Sequence, residues 1–411
     1  MPVPVRKSTN LGRPFAWLWA AYAVSAYGTG LGFGAFTVVA VDVLHAGPAQ
    51  VSALSAAGLA IGALLAVPLG PWMEWRAKRP VMIAMDLVRF AALASVPLAH
   101  WLGVLSFAQL LVVAVIAGAA KIAFTAAAGA YLKTLVPADR LLVATSRFES
   151  TTWSATVVGP PLGGAAIGVL GPVVTVLADA VSYLLSALGL AAIRHREPPP
   201  RGTTATRRWR DLAEGWRLIL AHPTLRRLFA NTIAVNALIM AGEPIVSVLM
   251  LAHLGFPAWQ YGLAFAVPCL GGLIGSRLAR RIAARLGEHR VLRVFGTLRV
   301  VWPLGLAAVQ PGPAGLVIVM GTQFGLIVCL SVYNSVLAAH RLNHVETGRH
   351  ARVLTAWSIS SSAAIAVVTV LWGLLAQAVG PRAALALAGV VLLATPVLLP
   401  GRLTKGRYLP A

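Results

Sequence analysis

Apolar residues in this chain come in blocks of twenty to thirty, and the polar residues are confined mostly to the short breaks between them. A helix needs about 20 apolar residues to cross a bilayer. Twelve blocks meet that length, at 15–41, 50–73, 80–101, 106–135, 141–170, 172–193, 225–254, 258–280, 290–310, 313–339, 352–379 and 382–400. One long break has a different pattern. After Arg194 come Pro198-Pro199-Pro200 and a Thr/Arg stretch, then Trp209, Leu212, Trp216, Ile219 and Leu220 at spacings of 3, 4, 3 and 1. Those spacings place the apolar groups on one helix face with basic residues elsewhere, which predicts a helix lying on the inner leaflet and tethering two halves.

The division expected is a six-helix bundle at 1–194, a linker at 195–224, a second six-helix bundle at 225–401 and a short tail at 402–411. The second bundle echoes the first at an offset of about 210 residues. Pro80-Val81-Met82 to Arg89 lines up with Arg290-Val291-Leu292 to Arg299, Gly163 lines up with Gly373, and Gly275, Arg280, Arg281 and Gly287 repeat the 70–80 loop in degenerate form. Paired repeats about the membrane normal are a transporter architecture, with the site between the halves near mid-membrane. The fold class expected is therefore an all-α membrane protein of twelve helices in two pseudo-symmetric bundles.

Composition agrees. Hydrophobic residues make up 58% of 411 and charged residues 11%, against about 25% charged in soluble domains. The net charge of +22 would suit nucleic acid, but its placement assigns it to the membrane. Basic residues gather in alternate breaks, from Arg6, Lys7 and Arg13 to Arg402, Lys405 and Arg407, whereas the other set of loops carries only Arg382. By the positive-inside bias both termini are cytoplasmic and the basic loops meet lipid headgroups. The dominance of arginine over lysine fits a GC-rich bacterial genome, so the membrane expected is a bacterial plasma membrane. The first apolar run is too long for a cleaved signal and reads as the first span. Cys269 and Cys329 both fall within spans, so neither a disulfide framework nor a metal site is expected, and no cofactor. His340 and His344, four apart, lack a convincing third ligand. The chain has no G-x-x-x-x-G-K-[ST], H-E-x-x-H or G-x-S-x-G, which argues against an ATP-driven pump or an intramembrane enzyme.

Polar groups inside the spans are costly and therefore informative. Lys121 sits mid-span where it cannot snorkel, so it needs a water-filled cavity or an acidic partner. Glu243 lies at similar depth, and Asp179 is nearer the outer face. A carboxylate so placed can load and release a proton as its exposure changes, which makes Glu243 first candidate and Asp179 second for proton coupling. Asp42 reads as a solvated rim residue. Asp86 and Arg89 share one helix face, and with Arg147 and Glu149 they are expected to form a cytoplasmic ion network acting as a latch. Tyr22, Tyr27, Lys121, Trp153, Asn236, Tyr333, Asn334 and Trp357 are the candidates for lining a substrate cavity.

Gly159-Pro160-Pro161-Leu162-Gly163-Gly164 combines a rigid bend with a smooth packing face. It resembles the G-P-x-x-G-G signature of proton-coupled drug exporters in the major facilitator superfamily, with Ala155 where the longer pattern has an earlier glycine. Gly70 to Pro80 resembles the superfamily's loop 2–3 motif, with Glu74 in place of Asp and one glycine absent. Glu74, Arg76 and Arg79 would there clamp a neighbouring helix end, as part of a cytoplasmic gate. The segment Asp179-Ala180-Val181-Ser182-Tyr183 is similar to a helix 6 pattern in the exporter branch that includes macrolide efflux proteins and siderophore exporters. The resemblance implies alternating access, proton antiport and export of amphipathic small molecules, with import of a small metabolite as the alternative; the working unit expected is a monomer.

Overall fold

The computed structural model describes residues 11–65, 76–137, 140–194, 206–344 and 350–400, and the described residues are helical with no strand. The helices are α1 (Arg13–Leu31), α2 (Pro48–Leu65), α3 (Lys78–Trp101), α4 (Phe107–Leu135), α5 (Leu141–Leu170) and α6 (Pro172–Ala191), then the linker helix α7 (Thr206–Ala221). The second set is α8 (Pro223–Val248), α9 (Ala258–Leu286), α10 (Glu288–Leu298), α11 (Pro313–His344), α12 (His350–Val379) and α13 (Pro381–Ala394). Eleven of the membrane-length segments are apolar enough to cross a bilayer, and α2 is the twelfth, running up to residues outside the description. The twelve expected spans are matched.

Local chemistry sets the ends. Gly171 (φ 82°) and Gly380 (φ 87°) take the left-handed turn that reverses the chain, and the prolines that follow start α6 and α13 at the position where a missing N–H costs nothing. Two expected spans pass into 3-10 helix. The ninth changes from α10 to a 3-10 segment, Trp302–Ala308, and the twelfth from α13 to Thr395–Leu398, because Pro303 and Pro396 remove a ladder donor.

The repeat seen in the sequence recurs in the backbone. The first span of each half ends in a π-helical turn, Val39–Val43 and Leu249–His253, at the same offset, and a left-handed residue follows each, His45 and Gly255. The two π turns touch each other. The halves also meet along α2 with α12, α5 with α9, and α2 with α8. Glycine permits the closest of these contacts. A Cβ on Gly164 would lie 2.5 Å from Gly262 Cα, and Ser52 packs directly on Gly373. The π turns and these two glycine contacts lie toward the end of the bundle opposite the basic loops.

Each half carries a buried arginine at the repeat position. Arg299 is wholly buried, donates to Asn231 Oδ1 at 2.7 Å and lies 3.6 Å over the Tyr333 ring. Asn231 in turn donates to the Thr395 carbonyl at 2.9 Å, tying α8, α10, α11 and the end of the chain's last span. Replacing Arg299 with Met is expected to cost about 1.5–3 kcal/mol, the range for a hydrogen bond to a charged group. Thermal unfolding in detergent would then shift down by several degrees; an unchanged midpoint would remove this cluster from the account of stability.

The linker helix differs in its setting from the sequence expectation. Trp216 donates to Ser360 at 2.9 Å, Arg352 pairs with Glu214 at 2.7 Å, and Ile219 is fully buried in the core of the second half. The described part of the apolar face of α7, Trp216 and Ile219, therefore docks on α12 and the core of the second half, while Leu220 stays exposed and the Trp209 and Leu212 side chains lie outside the described residues.

Candidate functional site

A cavity of about 370 Å³ lies between the halves. The first half supplies Tyr22, Ser25, Thr29 and Phe33 from α1 and its extension, Arg89 from α3, Lys121 and Phe124 from α4, and Thr152, Thr156 and Pro160 from α5. The second half supplies Glu243, Phe265, Cys269 and Ile327. The size suits a drug-sized molecule, and an apolar wall with few convergent polar groups is the usual form of such a site.

Glu243 and Lys121 reach the same cavity from opposite halves. Among the described residues neither side chain has a hydrogen bond or ion pair. Glu243 also borders a second cavity of about 220 Å³ toward the closed end, lined by Gly34, Thr37, Ser55, Ser247, Tyr261 and Thr369. There Tyr261 and Ser247 share a hydrogen bond of 3.1 Å, and Ser247 donates to the Glu243 carbonyl at 2.9 Å. Pro244 beside it leaves α8 continuous, since a bundle interior can tolerate the lost donor.

Arg89 is held from several sides. Asp86 lies 3.7 Å away, Ser25 and Thr29 accept at 3.4 and 3.5 Å, and the guanidinium bonds to the Tyr183 hydroxyl while lying over its ring. Asp179 is buried on α6 one turn before Tyr183 and is not on the central wall. Gly32 leaves room for it, since a Cβ there would stand 2.7 Å from its Oδ2. Both carboxylates thus sit behind the wall, within the first half.

The Gly159–Gly164 stretch is a two-sided packing surface. A Cβ on Gly159 would come within 2.6 Å of Gly30 Cα, and one on Gly163 within 2.7 Å of the Leu31 carbonyl, so both face α1. Gly164 faces α9 of the other half, and Pro160 lines the cavity. One turn thereby joins the first half's interior, the cavity wall and the contact between halves.

The remaining candidates disperse. Tyr22 lines the cavity and bonds Thr152 at 2.6 Å, whereas Tyr27 bonds Ser154 at 2.7 Å away from that wall. Tyr333 lies under Arg299, Trp357 is buried edge-on to Phe229, Asn236 is half-buried and Asn334 is exposed; none is on the central wall. The Trp153 side chain, the His344 side chain and Glu74 lie outside the described residues.

Of the four expected in one ion network, Asp86 and Arg89 pair, but Arg147 lies 5.8 Å from the Phe15 ring and Glu149 is exposed. Burial of Asp86 inside the first bundle separates the two sets. Arg76 is exposed; Arg79 donates to the Leu190 and Ala191 carbonyls at 2.9 and 2.6 Å, closing the free C-terminal end of α6.

Wall residues absent from the expected cavity lining include Thr29, Thr152, Phe33, Phe124, Phe265 and Ile327. The hydroxyls among the glycines of the first span were the one available signal for Thr29; phenylalanines within an apolar run carry none.

Residues 18–341 match the family model described as Major Facilitator Superfamily. Similar proteins include the multidrug efflux pump Tap of Mycobacterium tuberculosis (strain ATCC 25618 / H37Rv), 27% identical over 372 residues, covering 85% of this chain and 84% of that protein. The protein of the same name from Mycolicibacterium fortuitum is 26% identical over 409 residues, covering 96% of this chain and 97% of that one. Among solved structures the nucleoside transporter NupG superposes with a TM-score of 0.74 at 10% identity, over 94% of this chain and 98% of that one. With its two six-helix halves around a central cavity, the chain belongs to the Major Facilitator Superfamily and is a multi-pass membrane transporter.

Proposed function

We propose that this transporter exports amphipathic small molecules in exchange for protons, with Glu243 carrying the proton. The observation that carries the reading is the position of that carboxylate. It borders the central cavity on one side and the closed-end cavity on the other, so a modest rocking of the halves exposes it to either face. The relatives named multidrug efflux pumps support the direction. With the basic loops cytoplasmic, both termini are inside a bacterial plasma membrane, and the contacts between halves close the outer end. A single chain supplies the wall described, which makes a monomer the working unit.

Inside-out membrane vesicles test the direction. With an acidified lumen, an amphipathic dye is expected to accumulate inside, and collapse of the gradient by an ionophore to release it. Accumulation driven only by an alkaline lumen would show symport in the importing direction and overturn the proposal.

A further inference from the structure

The central cavity presents a cation and an anion on opposite walls, the cation with the Asp179 carboxylate in electrostatic range behind its wall but not paired with it. Lys121 comes from α4 in the first half and Glu243 from α8 in the second; both side chains are on the cavity surface, and neither has a hydrogen bond or ion pair among the described residues. Charges at this depth are expensive to leave unmet. The other charged group on the wall, Arg89, is already engaged by Asp86, Ser25, Thr29 and Tyr183. Between these two charges the wall is aromatic and aliphatic, with Phe33, Phe124, Phe265 and Ile327. A ligand complementary to this wall carries an anionic group for Lys121, a cationic group for Glu243 and a flat apolar body.

We propose that the cavity selects zwitterionic amphiphiles, with Lys121 taking the anionic group and Glu243 the cationic one. This rests on the cavity being the transport site. It also supplies an exchange rule. A proton on Glu243 cancels the charge that holds the ligand's cation, so proton and ligand exclude each other there, whereas a purely anionic ligand would bind better when Glu243 is protonated and would travel with the proton. The groups facing Glu243 across the cavities are Lys121 and Arg89 from the first half and Tyr261 and Cys269 from α9, with Asp179 behind Arg89. Glu243 is the one carboxylate on the central wall among the described residues.

The test is equilibrium binding by fluorescence polarisation to purified protein in dodecylmaltoside, free of zwitterionic lipid. Rhodamine B carries a carboxylate and a delocalised cation; its ethyl ester has the same body and cation without the anion. The wild type is expected to bind rhodamine B at least about tenfold tighter than the ester, as close charge pairs in interfaces allow. Lys121→Gln should erase that gap by weakening rhodamine B alone, and Lys121→Arg should keep it. Ester binding in Lys121→Gln at or above the wild-type affinity, as expected when a positive charge is removed from the wall, shows that the variant is folded. Equal affinities in the wild type, or an intact gap in Lys121→Gln, would overturn the proposal. Displacement of rhodamine B by dihexanoyl-phosphatidylcholine at its own binding range would make a lipid headgroup the occupant and overturn a soluble substrate. Because binding is read without a gradient, a failed vesicle assay leaves this result standing, and the reverse.

Discussion

Glu243→Gln is expected to abolish transport driven by a pH gradient while leaving ligand binding measurable. Glutamine keeps the size and hydrogen-bonding capacity of a protonated glutamate, so the bundle need not repack. It cannot release a proton, and so cannot alternate between the state that holds a cation and the state that does not. In the wild type, rhodamine B binding should tighten as pH rises and Glu243 loses its proton; in the variant the affinity should be flat over the same range. Its loss at high pH should stay within about tenfold, or roughly 1.4 kcal/mol, because Lys121 still takes the anionic group. Gradient-driven flux in proteoliposomes should fall to the level of empty liposomes. Wild-type flux with a retained pH dependence would take Glu243 out of the coupling role.

The second large effect is steric. Gly159→Leu is expected to reduce transport at least about tenfold, because its first side-chain carbon would already lie 2.6 Å from the Gly30 backbone. Overpacking of this kind typically costs about 1–3 kcal/mol, and here it falls where α5 must stay close to α1 while its next turn slides on α9. Gly129→Leu on α4 is the matched control, since a Cβ there meets nothing within 4 Å. Protein abundance in the membrane and rhodamine B binding separate a jammed transporter from an unfolded one. Equal flux in the two variants would make the Gly159–Gly164 contact incidental.

These predictions mix what could be read from residues with what could not. The spans and their pairing were legible because a bilayer demands long apolar runs, and because the repeat left Arg89 and Arg299, each over a tyrosine, at matching positions. Lys121 and Glu243 were legible as isolated charges at mid-span, and the structure brings both to one cavity. What an apolar run conceals is which side of a helix faces inward. Tyr333 and Trp357 looked like wall residues by type, yet Tyr333 is spent on a buried arginine and Trp357 on Phe229. Arg147 and Asp86 looked like partners by depth along their helices, but depth says nothing of bearing around the axis. The linker helix shows the same blindness: its amphipathic spacing predicted an apolar face without telling lipid from α12.

Alternating access through this cavity requires that the closed end opens around an unchanged pair of halves. Double electron–electron resonance measures this directly, with Cys269 and Cys329 replaced by serine and one spin label placed in each half. One labelled pair sits at Gly47 and Gly255, in the loops beyond the two π turns, and a second at Arg140 and Glu288, at the basic end. In nanodiscs, a shift from high to low pH should lengthen the first distance and shorten the second together, and a return to high pH should restore both. If the two distances stay fixed, or change independently of one another, the halves do not rock about this cavity and alternating access through it is contradicted.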